Sequence, residues 1–491
     1  MYKVLFVTSE AYPLVKTGGL GDVAGSLPVA LAALQCDVRL MLPAYQAAVQ
    51  RSDDLKSITQ FYLDGLPGLI TILEGRLPGT NVKTWLVDYP PAFDRPGNPY
   101  LDKEGEPWLD NAERFALFDR VATAVSLGQA NLDWTPDVVH CHDWQTGLVP
   151  ALLAQEPVRP ATLFTIHNLS YQGLFPVNKF QALGLPASLW SLAGVEFFGQ
   201  FSFIKGGLAF ADMLSTVSPT YAHEIQTTEF GCGLDGLLRF RANRLVGIIN
   251  GIDTDEWNPA TDSNLAKNFD VLHFSHKLEN KKALQQEFAL PIKPKTPLIG
   301  MVGRLVQQKG IDMVIKALPL LVKSPLQLVI LGSGESKYET TLQEWSKKYP
   351  DRIAVKIGYN ESLAHRIEAG ADIFLMPSRF EPCGLNQLYS VRYGTVPIVS
   401  YIGGLADTIV DADEVNIAAD TATGIVFHED TQNSFLEAIQ RALTLYHKPS
   451  VWKRIATTGM EKKFNWELSA QKYMQVYQQA INFSRGFVKL I

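Results

Sequence analysis

The chain has 491 residues, of which 46% are hydrophobic and 19% are charged, a composition typical of a globular protein with two or three domains. The formal net charge is −6, so no overall basic surface argues for binding to nucleic acid or to an anionic membrane. No segment reaches the ~18 consecutive apolar residues that a membrane helix needs. A predicted strand begins at the N-terminus, and the four cysteines contain no CxxC pair. We therefore expect a cytoplasmic protein without a signal peptide, a disulfide framework or a cysteine zinc site.

Short apolar runs alternate with amphipathic stretches along most of the chain. Runs rich in Val, Ile and Leu are typical of parallel strands that are covered on both faces. We predict strands at residues 4–8, 38–42, 82–87, 138–142, 162–167, 213–217, 298–302, 326–331, 354–357, 373–376 and 396–400. Helical patterns follow several of them, for example at residues 23–34, 311–322 and 434–446. This alternation predicts an α/β protein with parallel sheets.

The strand series is interrupted near residue 250. One series ends at residues 213–217 and the next begins at residue 298, and the stretch 291–297 between them contains three prolines. The break predicts two doubly wound domains that divide near residue 250, followed by a helical tail after residue 427. Two such sheets facing each other would form a ligand-binding cleft at the carboxyl ends of their strands.

A glycine-rich loop, Lys16-Thr17-Gly18-Gly19-Leu20-Gly21-Asp22, follows the first predicted strand. Glycines at this place let the backbone approach a ligand, and the N-terminus of the following helix favours an anion. A tight turn without a ligand is the alternative explanation. The GxGxxG pattern is absent and no acidic residue ends the second strand, so a dinucleotide site and hydride transfer are disfavoured.

Polar residues end two further strands of the first half. His140-Cys141-His142-Asp143-Trp144 ends one strand, and His167-Asn168 ends the next. Two histidines in an HxH pattern raise the question of a metal, but no third ligand lies nearby in the sequence. Substrate contacts and purely structural histidines remain alternatives at these strand ends.

The second half has two loops of similar character. Arg304 and Lys309 lie five residues apart after a strand, where a planar guanidinium and a point charge suit a diphosphate, although solvated surface charges are the alternative. In the segment 381–389, Glu381 precedes Pro382, which we predict at the first helical position, so that the following amides face a ligand. The two DxD triplets, at 253–255 and 411–413, do not end apolar strands and are predicted to be loops.

The loop at residues 16–22 resembles the N-terminal signature of bacterial glycogen synthases and plant starch synthases. Further blocks resemble the same family in the same order: residues 140–144, 165–173, 250–253, 303–310, 378–385 and 403–405. The resemblance extends from about residue 3 to about residue 480. It implies a GT-B fold, with 1–249 as the acceptor-side starch synthase catalytic domain and 250–464 as the ADP-glucose-binding domain of the glycosyltransferase group 1 type. It also implies that the helix at 465–491 crosses back to the first domain.

The activity implied by the resemblance is the retaining transfer of glucose from ADP-glucose to the non-reducing end of an α-1,4-glucan or maltooligosaccharide. No metal or other cofactor is implied, and neither a nucleic acid nor a membrane is expected as a partner. The protein would be cytoplasmic and could associate with glycogen particles or starch granules. The sequence does not indicate an oligomeric state.

The family assigns roles to residues of both halves. Arg304 and Lys309 would hold the diphosphate, Glu381 would contact the transferred glucose, and the backbone carbonyl of His167 would lie near the anomeric carbon. The implied catalytic set is Lys16, His167, Arg304, Lys309 and Glu381. The implied substrate-binding set is Gly19, Asp22, Tyr100, Asp143, Asn168, Asn250, Tyr359, Cys383, Gly384, Leu385 and Asn386, with Tyr359 beside the adenine.

Three departures and two alternatives qualify this interpretation. Position 145 is Gln where bacterial glycogen synthases commonly have His, and position 386 is Asn where many bacterial members have Thr. Tyr389 stands where related retaining families carry a second glutamate, as is usual in the starch synthase group. The alternatives are another GT-B sugar-nucleotide enzyme and a non-catalytic glucan-binding homologue. A non-catalytic homologue would be expected to have lost at least one of Lys16, Arg304, Lys309 and Glu381, and all four are present.

Overall fold

The computed structural model describes residues 1–66 and 68–488. The chain forms two compact units: Met1–Gly251 together with Trp466–Ile491, and Ile252–Asn465. Residues 489–491 of the predicted C-terminal helix lie outside the described residues. Within the described part of the chain, no helix is both long enough and apolar enough to cross a membrane.

The strands are β1 (Lys3–Val7), β2 (Asp37–Pro43), β3 (Asp53–Tyr62), β4 (Leu69–Arg76), β5 (Lys83–Asp88), β6 (Val138–His142), β7 (Ala161–Ile166), β8 (Leu174–Pro176), β9 (Glu196–Phe197), β10 (Gln200–Ser202), β11 (Met213–Thr216), β12 (Leu245–Gly247), β13 (Leu298–Val302), β14 (Gln327–Gly332), β15 (Ile353–Ile357), β16 (Ile373–Met376), β17 (Val396–Ser400) and β18 (Ile425–Phe427). The helices are α1 (Gly19–Ala33), α2 (Gln46–Arg51), α3 (Pro90–Phe93), α4 (Asn111–Ser126), α5 (Leu148–Leu153), α6 (Val177–Ala182), α7 (Phe203–Phe210), α8 (Pro219–Glu224), α9 (Asp235–Phe240), α10 (Lys277–Glu287), α11 (Ile311–Leu321), α12 (Ser336–Lys348), α13 (Glu361–Gly370), α14 (Asn386–Arg392), α15 (Gly403–Thr408), α16 (Glu414–Ala418), α17 (Gln432–Tyr446), α18 (Pro449–Glu461) and α19 (Trp466–Val488).

A nine-stranded sheet forms the centre of the first unit, in the order β12-β11-β7-β6-β1-β2-β5-β4-β3. The seven strands from β12 to β5 are parallel, and β4 and β3 are added as an antiparallel edge. The strands β8, β9 and β10 form a separate small antiparallel sheet. Helix α19 packs against α1 and β7 and so belongs to this unit.

The second unit is built on a six-stranded sheet in which every pair is parallel, in the order β15-β14-β13-β16-β17-β18. Its central strands are buried, as their unbroken apolar sequences predict, and α11 and α17 contribute to the core on one face of the sheet. The predicted α/β class with two parallel-sheet units is confirmed, and a strand is present at each of the eleven predicted places.

Each sheet has a point where the strand order reverses. In the first unit the chain passes from β1 to β2, continues to the edge strand β3 and comes back through β4 to β5. It then places β6 and β7 on the other side of β1. In the second unit the corresponding reversal lies between β13 and β16. Ligands of doubly wound sheets bind beyond the carboxyl ends of the strands at such points. The loops that follow β1, β6, β13 and β16 are therefore the places where a site is expected.

Candidate active site

The loop between β1 and α1 carries the first predicted site residues. Lys16 Nζ lies 2.8 Å from a carboxylate oxygen of Asp22, and both side chains are about one quarter exposed. A Cβ added at Gly18 or Gly19 would meet no heavy atom within 4 Å, so there is open space beside the backbone at the start of α1. The lysine is thus held by a carboxylate of α1 next to backbone that a ligand can approach closely.

Glu10 fixes the shape of this loop. Its carboxylate accepts hydrogen bonds from the Thr17 amide at 2.5 Å, the Thr17 hydroxyl at 2.6 Å and the Gly18 amide at 3.2 Å. Tyr100 donates its hydroxyl to the same carboxylate at 2.6 Å, and burial together with the charge of Glu10 raises the pKa of this tyrosine well above its usual range. Glu10, which is 3% exposed, therefore connects Tyr100 to the loop that carries Lys16.

Asp143 holds together the loops that follow β6 and β7. Its Oδ1 accepts the backbone amides of His167 at 2.7 Å and Asn168 at 3.4 Å. Its φ of +56° is uncommon for a residue with a side chain, a strain that occurs preferentially at functional sites. Burial raises the pKa of Asp143 to about 7 against the effect of these two amides, and the charge of Glu10 raises it further. Asp143 therefore joins the predicted residues at the ends of β6 and β7.

A chain of histidines lies behind His167. His167 Nε2 and His142 Nδ1 share a hydrogen bond of 2.9 Å, and burial lowers the pKa of His167 to about 3, so its imidazole is neutral. Both ring nitrogens of His140 are occupied, by Tyr477 at 2.9 Å and Thr165 at 2.6 Å. The HxH pattern therefore offers no pair of free nitrogens, and its histidines pack and bond within the first unit.

In the second unit, the loop after β13 is tied to the loop after β16. Lys309 Nζ lies 2.5 Å from Glu381 Oε2, and the Ser378 hydroxyl donates to the same oxygen at 3.0 Å. Gln308 donates to the Phe380 carbonyl at 3.1 Å and stands 3.4 Å from the guanidinium of Arg304, an exposed side chain. The two predicted cations and the predicted carboxylate of this unit therefore converge at one edge of the sheet.

Close backbone approach shapes the segment that follows Glu381. A Cβ at Gly403 would lie 2.0 Å from the Glu381 carbonyl oxygen, and one at Gly404 would lie 2.1 Å from that of Cys383. Gly384 has a φ of +70°, outside the helical region. The prediction that Pro382 begins a helix is wrong: α14 begins at Asn386, and residues 382–385 form a loop, because the left-handed Gly384 interrupts any helix entered at the proline.

Gln387 holds this loop in place. The side chain, 0% exposed, donates to the carbonyl oxygens of Cys383 and Gly384, both at 3.0 Å, and to the Thr408 hydroxyl at 3.2 Å. Asn386 donates to the Val302 carbonyl at 2.8 Å and so connects α14 to the end of β13. Gln387, like Glu10, was not among the predicted residues. Gln387 lies in the segment 381–389, and Glu10 lies three residues after the end of β1, but the sequence does not show which groups they bond.

The other predicted residues have distinct surroundings. Asn250 is 6% exposed, and its Oδ1 has no hydrogen-bond partner among the described residues. Tyr359, 78% exposed, follows β15 in the second unit. Tyr389 stacks on Trp257 with ring centroids 3.6 Å apart, so an aromatic ring fills the place of a second glutamate. Both DxD triplets lie outside the strands, as predicted.

Known proteins resemble the chain over nearly its whole length. Residues 3–240 match the family described as starch synthase catalytic domain, and residues 282–458 match glycosyl transferases group 1. Glycogen synthase 1 of Methylococcus capsulatus is 55% identical, over 98% of this chain and 97% of that protein. Glycogen synthase 2 of Nitrosococcus oceani is 53% identical, over 98% of both.

Two solved structures extend the comparison. The catalytic domain of starch synthase IV from Arabidopsis thaliana, bound to ADP and acarbose, superposes with a TM-score of 0.88 at 32% identity, over 98% of this chain and 99% of that one. Sucrose-phosphate synthase from Thermosynechococcus elongatus, with a TM-score of 0.59 and 18% identity over the same shares, shares the fold alone. The resemblance seen in the sequence is confirmed, and this chain belongs to the glycogen synthase and starch synthase family of GT-B glucosyltransferases.

Proposed function

We propose that this protein transfers glucose from ADP-glucose to the non-reducing end of an α-1,4-glucan with retention of the anomeric configuration. The observation that carries the proposal is the convergence of Arg304, Lys309 and Glu381 at the carboxyl edge of the six-stranded sheet, in a chain about half identical to glycogen synthases throughout. The ADP bound by the starch synthase IV structure supports a nucleotide donor, and its acarbose supports a glucan-like acceptor.

The two cations act on the leaving group. When the bond between glucose and the diphosphate breaks, negative charge develops on the diphosphate and positive charge on the sugar. Arg304 and Lys309 lie in one loop and stabilise that negative charge, an effect worth about 3–4 kcal/mol for one well-placed donor. Because these side chains supply the positive charge, transfer requires no metal ion.

Glu381 contacts the transferred glucose. Its side chain is 8% exposed and is bonded to Lys309 and Ser378, neither of which is an acid. Retaining glycosidases form a covalent intermediate with two carboxylates about 5 Å apart. Since Tyr389 occupies the place of a second glutamate and stacks on Trp257, departure of ADP and attack of the acceptor on the same face of the sugar agrees better with these residues.

The first unit carries the other residues to which the family assigns a role. Lys16, Gly19 and Asp22 contact the donor, and Asp143, His167 and Asn168 line the glucosyl pocket. The neutral imidazole of His167 avoids a buried positive charge next to a developing oxocarbenium ion. Tyr100, which shares the Glu10 carboxylate with Thr17, and Asn250, which keeps a buried oxygen without a partner, contribute to the same pocket.

In the second unit, the exposed ring of Tyr359 lies beside the adenine. The amides of the loop formed by Cys383, Gly384 and Leu385, together with Asn386, hold the donor beside Glu381. A cytoplasmic location and an association with glycogen particles or starch granules stay predictions.

The proposal is tested with purified protein, ADP-[14C]glucose and glycogen. Label should enter the polymer, and β-amylase should release it as maltose, which identifies α-1,4 linkages at non-reducing ends. Lys309→Ala should abolish most incorporation. Lys316→Ala is the matched control, because Lys316 is 66% exposed on α11 and its nearest carboxylate oxygen, on Asp312, is 3.6 Å away. Transfer only to a small acceptor would support another GT-B enzyme, and glycogen binding without any transfer would support a non-catalytic homologue.

A further inference from the structure

A group of possible metal ligands lies in the second unit, apart from the residues assigned above. Glu361 and His365 are four residues apart on α13 and therefore project from the same face of the helix. Glu256 approaches them from the loop after Ile252, and one ligand atom from each of the three residues lies within 4.8 Å of the others. The group borders a cavity of about 370 Å³ whose other lining residues are mostly polar.

The hydrogen bond to one ring nitrogen of His365 leaves the other nitrogen able to bind a metal. The residue is 2% exposed, and its Nδ1 lies 2.7 Å from Asp262 Oδ2, which also accepts the Tyr393 hydroxyl at 2.7 Å. The Asp262 carboxylate therefore accepts the proton on Nδ1 and leaves the lone pair on Nε2, which has no hydrogen-bond partner among the described residues.

A carboxylate behind a histidine is the usual outer partner of a metal-binding imidazole, because it fixes the tautomer and the orientation of the ring. The ring of His365 is also fixed by stacking on Trp257, with centroids 3.7 Å apart. The Glu361 carboxylate has no hydrogen-bond or ion-pair partner within the described part of the chain. The nearby cation Arg366 is already paired with Glu287 at 2.7 Å and does not neutralise the group.

We propose that Glu256, Glu361 and His365 bind one divalent transition-metal ion of the zinc or manganese class, outside the glucosyl-transfer site. One imidazole nitrogen and two carboxylates suit such an ion, whereas magnesium and calcium prefer oxygen ligands alone. Ligand atoms at about 2.0–2.2 Å from a tetrahedral zinc ion lie ~3.4 Å apart. The exposed side chain of Glu256 must therefore move inward on the order of 1 Å, and water supplies the fourth ligand.

The bound ion would connect the loop that contains Glu256 to α13. Residues 253–276 contain neither a β-strand nor an α-helix, so a fixed point between this long loop and a helix stabilises the fold of the unit. This role is separate from the proposed transfer of glucose, because none of the three ligands belongs to the proposed catalytic or substrate-binding sets.

The test uses the whole protein, stripped of metal with chelator and titrated with Co²⁺ and Zn²⁺. We expect one ion per chain, visible absorption typical of four-coordinate cobalt that Zn²⁺ abolishes, and a higher Tm with metal. Glu361→Gln and Glu256→Gln should each weaken binding at least tenfold. Glu344→Gln, an exposed acid on α12, is the matched control and should bind metal as the unmodified protein does.

His365→Gln is a secondary variant, because removing a ring stacked on Trp257 can destabilise the unit without any metal. The exposed pair His273 and His276, with ring centroids 5.6 Å apart, is the competing place for an adventitious ion. The assignment would be overturned if His273→Gln lost metal binding. It would also be overturned if Glu256→Gln and Glu361→Gln both bound the metal with an affinity within twofold of that of the unmodified protein. Glucosyl transfer should be unchanged in Glu256→Gln, so failure of this proposal is distinguishable from failure of the proposed function.

Discussion

Replacing Lys309 by methionine removes the charge that we assign to the diphosphate while keeping most of the side-chain volume. The ammonium group lies 2.5 Å from Glu381 Oε2, and the two side chains are 24% and 8% exposed. Losing one preorganised donor to a developing oxyanion lowers kcat on the order of 10²–10³-fold. The assay is initial-rate incorporation of glucose at saturating ADP-glucose and glycogen.

The same substitution has a separate effect on stability. Glu381 keeps the Ser378 hydroxyl but loses its cation. Exposed pairs are worth up to about 1 kcal/mol, and breaking a fully buried pair costs about 3–5 kcal/mol. For a pair with one largely buried member we expect the free energy of unfolding to fall by about 1–3 kcal/mol. In a unit of this size, each kcal/mol lowers Tm by about 2–4 °C.

The double variant Lys309→Met/Glu381→Gln separates the two effects. Since it removes both charges, its Tm should recover toward that of the unmodified protein, whereas kcat should stay at or below that of Lys309→Met. The control Lys316→Met should change neither quantity, because Lys316 is 66% exposed. A kcat for Lys309→Met within a few-fold of the unmodified enzyme, or recovery of kcat in the double variant, would refute the role of Lys309 in stabilising the leaving group.

Three further predictions concern metal, pH and the loop before α14. Glucosyl transfer should survive exhaustive EDTA treatment. A loss of activity that magnesium or manganese restores in Glu361→Gln, which lacks a ligand of the proposed metal site, would contradict the metal-free mechanism. Burial raises the folded-state pKa of Asp143 to about 7, above its unfolded value near 4. Between these pH values the native state holds a proton that the unfolded state has lost. The free energy of unfolding therefore falls as the pH rises from about 4 to about 7. Urea titrations should therefore show Asp143→Asn gaining stability relative to the unmodified protein from pH 4 to pH 8, by up to about 4 kcal/mol, and a constant difference would contradict the shift. Gln387→Leu leaves the carbonyl oxygens of Cys383 and Gly384 without their side-chain donor, so we expect a loss of about 1–3 kcal/mol in stability and a lower kcat/KM for ADP-glucose. Unchanged values of both would show that the loop holds its shape without Gln387.

The sequence predicts the interior of both sheets because burial on two faces requires unbroken apolar runs. It misses β3 for the same reason, whereas β4 was not predicted although its sequence begins with the apolar run 69–73. In β3, Asp53–Tyr62, most positions are polar and exposed or half-buried, so the edge of the first sheet has no apolar run to detect. The pairing of β3 with β4 is set by backbone hydrogen bonds at that edge, and the side chains carry little sign of it.

The site follows the same division between what is local and what depends on tertiary structure. Lys16, Arg304 and Lys309 are predicted because glycine-rich and basic loops after strands have a chemistry that is visible residue by residue. Glu10 lies three residues after the end of β1, and a polar residue close to a strand end is a signal that could have identified it. Its partners Thr17 and Tyr100 are set by the fold, since Tyr100 is 90 residues away.

Pro382 shows how a local rule fails. A proline is favourable at the first position of a helix, but the rule considers only the residues next to it. Here the left-handed Gly384 and the close approach of Gly403 to the Glu381 carbonyl oxygen hold residues 382–385 as a loop, so the helix begins only at Asn386. The approach of Gly403 is a contact across 22 residues, which no short window of sequence contains.

The pairing of Lys309 with Glu381 has a consequence for ligand preference under the proposed roles. Without a ligand, the lysine compensates the charge of a largely buried carboxylate. A diphosphate that draws the lysine toward itself leaves Glu381 short of a partner, and an uncompensated buried charge is costly. The hydroxyl groups of glucose can donate to Glu381 at that moment, whereas ADP alone cannot. The ion pair between Lys309 and Glu381, which stabilises the loop without a ligand, therefore favours the complete donor over ADP. The pair forms again when the glucose has been transferred and ADP departs.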